Sequence, residues 1–252
     1  MNFRSRMFLV FTAPTLICLS ASTAASPFSI RVTSSYTQRK VSSGKFPIHS
    51  ACMMPPQGHL TKVGMKGAEG MAKESEAWAE SIEALVESHF KSDGIAINSA
   101  TNPLASGASD DEIGKVISQV QEKLHALLPM VNKKPGQIAK SVYTLGDQVG
   151  MLPCSENSDI LVFVQGDGQV LTDSRATMTF LVGGPAQDAL VLVTMADAKT
   201  GEVLGLIQLY PGDGFPENTE GAFGGRLDNE LWNMNIGSAR KHPRPDLHQY
   251  EY

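Results

Sequence analysis

The stretch VTMADAKTGEVLGLIQLYPGDG, residues 193–214, contains two apolar runs separated by a short polar break at residues 197–201. An aspartate that precedes a turn accepts hydrogen bonds from backbone N–H groups two residues further on. A glycine supplies the positive φ that short hairpin loops require, and Thr200 can add a side-chain hydrogen bond. The stretch therefore predicts two paired strands, residues 189–195 and 202–209, joined by a turn in which Asp197, Thr200 and Gly201 have structural roles.

Before this hairpin, the run ILVFV at residues 160–164 is continuously apolar and rich in β-branched side chains, which predicts a buried strand. The Gly166-Asp167-Gly168 sequence that follows predicts a turn at the end of that strand. A further strand is expected around residues 95–97, and residues 176–182 favour a strand over a helix.

Apolar residues at helical spacing predict three helices, over residues 69–91, 110–128 and 219–237. The second begins at a capping box that starts with Ser109, and the third has Gly237 as its expected C-cap. A short helix is expected at residues 146–152. The order of elements predicts an α/β (α+β type) fold: one domain, residues 69–238, with helices packed on a mixed or antiparallel sheet of about four to five strands. Residues 239–252 are expected to form a flexible tail.

The N-terminus has the pattern of a secretory signal peptide over residues 1–25. Arg4 and Arg6 precede an apolar run at residues 7–21, and the small-residue stretch ASTAAS follows. The apolar run is short for a membrane span, so we expect cleavage near Ala24 or Ala25 and no stable membrane span afterwards. The alternative is an N-terminal anchor that is retained.

Residues 26–68 are rich in Ser, Thr, Lys and Arg and contain no acidic residue, which predicts a disordered leader. This segment is either a linker or a second targeting signal, since acid-poor, Ser- and Arg-rich composition is typical of transit peptides. A signal peptide followed by such a segment is similar to the bipartite presequences of proteins imported into the complex plastids of algae. The sequence Ala25-Ser26-Pro27-Phe28 resembles their cleavage region.

Charge and cysteine content exclude several functions. All 26 acidic residues lie from Glu69 onward, so the predicted domain is strongly acidic and is not expected to bind nucleic acid. Cys154 is the only cysteine of that domain, because Cys18 lies in the signal peptide and Cys52 in the leader. No disulfide within the domain and no cysteine-based zinc site is therefore expected. The sequence Ser50-Ala51-Cys52 resembles the end of a bacterial lipobox, although His49 occupies its aliphatic position.

Catalytic motifs are missing: the chain has no nucleophile elbow, no P-loop and no HExxH zinc motif. Cys154 precedes a predicted buried strand, where cysteine usually serves as a small apolar residue rather than as the partner of a histidine. A histidine partner for Cys154 would have to be His89, His125, His242 or His248. His125 lies off the apolar stripe of its helix and is expected to be exposed. Asp167 and Asp213, each between two glycines, form a weak candidate metal site if their strands end at one sheet edge. No cofactor is expected.

Residues 141–210 resemble a group of uncharacterised bacterial envelope proteins, many of them lipoproteins. The matching elements are Thr144-Leu145-Gly146, the aspartate-led strand at residues 159–164 and the DxxTGxxL hairpin at residues 197–204. The broader fold resembles the small α/β domain of envelope-assembly lipoproteins, related to the curli-secretion lipoprotein and to the N-terminal domain of the Tol-system β-propeller protein. The resemblance implies a structural domain and supplies no catalytic residues.

These observations lead to the expectation of a non-enzymatic, secreted or envelope-located domain that binds a protein partner or supports assembly. One alternative is a divalent-cation-dependent hydrolase that uses Asp167 and Asp213. Another is a plastid-imported protein that carries the same domain. The oligomeric state is left open.

Overall fold

Alternate side chains of the apolar run at residues 160–164 pack on opposite faces of a central sheet in the computed structural model of the chain. Ile160, Val162 and Val164 contribute to one hydrophobic core, and Leu161 and Phe163 contribute to the other. Burial on both faces explains why this strand is continuously apolar. The structure describes residues 33–100, 110–152, 154–172, 174, 176, 187–211, 215 and 218–236.

The sheet contains eight strands within the described residues. They are β1 (Ser34–Thr37), β2 (Ser50–Met53), β3 (Gln57–Gly64), β4 (Gly67–Gly70), β5 (Ala96–Ser99), β6 (Ile160–Leu171), β7 (Gln187–Asp197) and β8 (Val203–Leu209). The order is β1-β8-β7-β6-β2-β5. Both β2 and β3 pair with β6 on the same edge, β2 with its first residues and β3 with the residues that follow. The strand β4 pairs with the other edge of β3. The strands β2, β3, β5 and β6 are parallel, and all other pairings are antiparallel. The α/β class is confirmed, with a mixed sheet larger than the predicted four to five strands.

Helices cover both faces of the sheet. They are α1 (Arg39–Ser42), α2 (Ala72–Ser92), α3 (Asp110–Lys133) and α4 (Gly225–Met234), with a π-helical turn, Glu220–Gly224, before α4 and 3-10 segments at Pro135–Lys140, Asp147–Met151 and Ser155–Asn157. The apolar residues of α2 and α4 share the core that contains Val162, whereas those of α3 share the core that contains Phe163. Among the described residues, no helix combines the length and apolarity that a membrane span requires.

The path of the chain explains why helices lie on both faces of the sheet. It passes from β3 through β4 and α2 outward to β5, and then returns through α3 across β2 to β6. Because parallel crossover connections are right-handed, connections that run in opposite directions across a sheet place their helices on opposite faces. The helices α2 and α3 therefore diverge beyond the carboxyl ends of β2 and β5.

The structure corrects the prediction of a disordered leader for residues 33–68. Four strands begin in this segment, and β2 lies inside the sheet between β6 and β5. Ala51, Cys52, Met53 and Met54 are at most 2% exposed. β1 and β2 are short and pair with strands distant in sequence, and β3 and β4 form a hairpin without a clear alternation of apolar and polar residues, so no local periodicity marks these strands. The domain therefore begins well before Glu69.

The Gly166-Asp167-Gly168 sequence is not the end of a strand, as predicted, but lies within β6. A Cβ atom on Gly166 would lie 2.7 Å from the Trp78 ring, and one on Gly168 would lie 2.7 Å from Leu60 and 2.9 Å from Phe215. The two glycines are needed because large side chains pack directly against the strand, and a turn plays no part.

The remaining elements agree with the prediction except at their ends. The first predicted helix begins at Ala72 rather than residue 69, because Gly67–Gly70 forms β4. The last helix ends at Met234, and its C-cap is Asn235, in the left-handed conformation with φ of 60°, rather than the predicted Gly237. Of the predicted strand at residues 176–182, residues 177–182 lie outside the described residues. The capping residue Ser109, the signal peptide and the tail at residues 239–252 also lie outside them.

Candidate functional site

The hairpin turn at residues 197–201 uses its polar groups internally. The carboxylate oxygen Oδ1 of Asp197 accepts hydrogen bonds from the backbone N–H groups of Lys199 (2.9 Å) and Thr200 (3.0 Å). The N–H group of Gly201, whose φ is +68°, donates to the Asp197 carbonyl oxygen at 2.9 Å. The geometry of the turn accounts for these residue types without a ligand.

The turn also packs against residues 144–146. The N–H group of Leu145 donates to the Gly201 carbonyl oxygen at 2.7 Å, and Thr144 forms a β-bridge with Glu202. A Cβ atom on Gly201 would lie 2.5 Å from the Gly146 carbonyl oxygen. Two of the elements that carry the resemblance to envelope proteins are thus in direct contact.

The candidate metal pair is not assembled by the described residues. Asp167 is exposed on β6, where it lies opposite His59 of β3 and Leu190 of β7. Asp213 lies outside the described residues. In the part of the chain that the structure describes, no three His, Cys, Asp or Glu side chains are grouped so that they could hold a metal ion.

Cys52 and Cys154 form a disulfide, with their Cα atoms 5.7 Å apart. The prediction that the domain has no internal disulfide is wrong, because Cys52 belongs to the domain through β2. Both side chains are buried, at 0% and 5% exposure. A disulfide sulfur is neither a thiolate nucleophile nor free for lipid attachment, which excludes a catalytic Cys154 and a lipidated Cys52 in this state of the protein.

His89 of α2 is held by two carboxylates from the C-terminal part of the domain. Its Nδ1 atom is hydrogen-bonded to Asp228 of α4, and its Nε2 atom lies 3.6 Å from Glu220. Burial by itself would lower the pKa of the imidazole, but the hydrogen bonds and negative charges of Asp228 and Glu220 outweigh burial and raise the pKa. The arrangement fastens α4 to α2.

A cavity of about 1000 Å³ lies where α2 and α3 diverge. There β5 pairs with β2 and β4 pairs with the second half of β3, so the first half of β3 has no strand on that edge among the described residues. In open α/β sheets, ligands bind in the crevice beyond the carboxyl ends of strands whose connections diverge in this way. We call this cavity the crevice; it is the main candidate site.

One wall of the crevice carries a polar network. The Nε2 atom of Gln165 on β6 donates to Gln57 Oε1 on β3 at 2.8 Å, and His125 Nε2 of α3 lies 3.1 Å from the same oxygen. The Oε1 atom of Gln165 is buried and has no hydrogen-bond partner among the described residues. Leu128, Leu190 and Leu192 provide apolar surface beside the network.

The α2 wall is acidic. Glu76, Glu80 and Glu83 follow one another at helical spacing, and Asp167 lines the same crevice. Partial burial raises the pKa of Glu83, and the negative charges of Glu87 and Glu80 raise it further. Among the described residues that line the crevice there is no lysine or arginine.

The sequence did not indicate the crevice. Its residues come from strands and helices far apart in the chain, and β3 lies in the segment expected to be disordered. The spacing of Glu76, Glu80 and Glu83 was visible, but acidic residues on the outer face of an amphipathic helix are usually only solvated. His125 is exposed, as expected, and its contact with Gln57 depends on the strand that was missed.

Comparison with known proteins gives no further guide to the chemistry of the crevice. No protein family model, no curated protein and no solved structure matches the chain.

Proposed function

We propose that the protein is an extracytoplasmic α/β domain that binds a protein partner or supports assembly, rather than an enzyme. The observation that carries this proposal is the buried Cys52–Cys154 disulfide. Disulfides form and persist in oxidising compartments and are rare where thiols are kept reduced. The signal-peptide pattern at residues 1–25 favours the same destination.

The resemblance to bacterial envelope proteins supports this location. Its matching elements are structural, and the contact between Leu145 and Gly201 gives two of them a common role in the fold. Neither element contributes a residue to the crevice. Under this proposal, the hairpin stabilises the domain while the crevice contacts the partner.

Binding is favoured over catalysis because the described part of the crevice offers no free hydroxyl, thiol or amine nucleophile. Ser75 is the one hydroxyl-bearing residue among the described residues that line it, and neither cysteine nor lysine is among them. That hydroxyl donates to the Met71 carbonyl oxygen at 2.6 Å and accepts from the Leu60 N–H group at 2.8 Å. Ser75 therefore serves to hold α2 against β3.

Two measurements test the proposal. Purified protein is assayed against phosphate, ester and glycoside substrates with and without divalent metal, and we expect no turnover; turnover that Asp167→Asn abolishes would contradict the proposal in favour of the hydrolase.

Protein from fractionated cells is also treated with a thiol reagent. We expect it in an extracytoplasmic fraction with Cys52 and Cys154 unreactive, whereas reactive thiols in a cytoplasmic or stromal fraction would contradict the proposed location.

A further inference from the structure

We infer that the crevice binds an ammonium or guanidinium group on an alkyl stem, as carried by lysine or arginine side chains in an extended basic segment of a partner protein. This inference rests on the proposed function, because it names the chemistry of the partner. It is carried by the charge, the hydrogen-bonding groups, the apolar surface and the size of the crevice.

The charge of the crevice is negative, and no ion pair among the described residues neutralises it. Glu76, Glu80, Glu83 and Asp167 have no ion-pair partner among the described residues, whereas Glu87 and Glu202 are paired with lysines elsewhere. Carboxylates at helical spacing repel one another and destabilise a helix slightly. A cationic group placed between α2 and β6 would relieve this repulsion.

The hydrogen-bonding groups of the crevice are mainly acceptors. Besides the four carboxylates, Gln165 presents a buried oxygen that has no partner in the described part of the chain, and Gln57 Oε1 already lies within hydrogen-bonding distance of both Gln165 and His125. A buried acceptor without a partner costs free energy, which a donor from a ligand would recover. Ammonium and guanidinium groups are donors only, so they match this surface.

Apolar surface and size point to a side chain on a peptide rather than a free ion. Met71, Ala79, Leu128, Leu190 and Leu192 line the crevice between the polar groups. Lysine and arginine bury their methylene stems on such surfaces while their charged ends reach polar partners. A cavity of about 1000 Å³ is also far larger than one ammonium group needs.

The test uses a short fluorescent lysine–glycine repeat peptide, titrated against the full-length mature protein by fluorescence anisotropy. We expect binding that weakens as salt is raised. Glu80→Gln and Glu83→Gln should each weaken binding roughly threefold to fivefold, and the double variant about tenfold. Glu74→Gln, on the same helix but outside the crevice, is the matched control and should leave binding unchanged. Asp167→Asn tests the opposite wall and should weaken binding as the single variants do.

Absence of peptide binding, or equal weakening by Glu74→Gln, would overturn the inference. Spermidine that binds as tightly as the peptide would also overturn it, because a free polyamine rather than a protein segment would then be the ligand. Circular dichroism of each variant checks that the fold is intact. Failure of the peptide to bind would leave the proposed function standing, whereas enzymatic turnover would remove the proposed function whatever the peptide does.

Discussion

Cys52 and Cys154 are linked by a disulfide, although 102 positions separate them in the chain. The bond joins β2, inside the sheet, to the segment that leads into β6. Asp159 reinforces the same junction, since its Oδ2 atom accepts hydrogen bonds from the backbone N–H groups of His49 (2.8 Å) and Ser50 (3.0 Å). The N-terminal strands and the later strands therefore belong to one folding unit.

Removal of the disulfide should destabilise the domain. We expect the double variant Cys52→Ala/Cys154→Ala to lose about 3 kcal/mol of unfolding free energy, because the long loop between the cysteines is no longer closed in the unfolded chain. Urea unfolding monitored by tryptophan fluorescence measures the loss. Wild-type protein treated with reductant under denaturing conditions and refolded is the control, and it should match the variant. Equal unfolding midpoints for oxidised and reduced protein would contradict this prediction.

Gly201→Val should reduce stability rather than remove an activity. The substitution places a β-branched residue at φ of +68° and drives its Cβ atom into the Gly146 carbonyl oxygen. We expect a loss of about 2 kcal/mol or more. Lys199→Ala, in the same turn, removes only an exposed side chain and should change stability by less than about 0.5 kcal/mol. A Gly201→Val protein of normal stability that no longer bound a partner would show that the turn is a binding site.

Gly166→Ala should cost about 1–3 kcal/mol, because its methyl group would meet the Trp78 ring in a fully packed core. The control is Gly114→Ala in α3, where no described atom lies within 4 Å of the added methyl group apart from the adjoining residues and the local helix backbone. Because alanine favours a helix over glycine, this control should gain about 0.5–1 kcal/mol. Chemical denaturation of both variants measures the two opposite shifts. If Gly166→Ala left the free energy of unfolding unchanged, packing would not require a glycine at this position.

The contact of His89 with Asp228 and Glu220 should make stability depend on pH. The folded protein holds the imidazole proton more tightly than the unfolded chain, since the pKa of His89 is raised. The stabilisation is therefore complete below the ordinary histidine pKa of about 6.5 and is lost as pH rises through the raised pKa of the folded state. Urea unfolding midpoints across this range should fall with pH in the wild type.

In His89→Gln this part of the pH dependence should disappear. His125→Gln is the control, because His125 is exposed and has no carboxylate partner among the described residues. The prediction would be contradicted if the unfolding midpoint of the wild type stayed constant or rose from about pH 6 to about pH 8, a range that spans the ordinary histidine pKa of about 6.5.

How much could be predicted from the sequence depended on whether the signal was local. The strand at residues 160–164 and the hairpin around Asp197 and Gly201 are determined by residues that are adjacent in sequence, so the sequence predicts both correctly. The short strand β2 is stabilised by pairing with β5 and β6, which no local pattern reveals. The sequence around Gly166 predicts a turn, because only the position of Trp78 in the folded protein shows why a side chain is excluded there.

The crevice is the least predictable feature for the same reason. Gln57, His125 and Gln165 become neighbours only after β3 joins β6 and α3 crosses the sheet. Sequence spacing could show the acidic series on α2, but not that an unpaired amide oxygen lies in the same cavity. A site made by tertiary contacts leaves little local trace.

The most direct test of the account is the mass of the mature protein isolated from its source under thiol-blocking conditions. We expect an N-terminus near Ser26, and in any case before Thr33, with neither Cys52 nor Cys154 alkylated. A start between residues 50 and 68 would remove β1 and part or all of β2, and it would contradict both the fold and the secreted location. Alkylation of both cysteines in the intact mature chain would contradict the oxidised, extracytoplasmic state on which the proposed function depends.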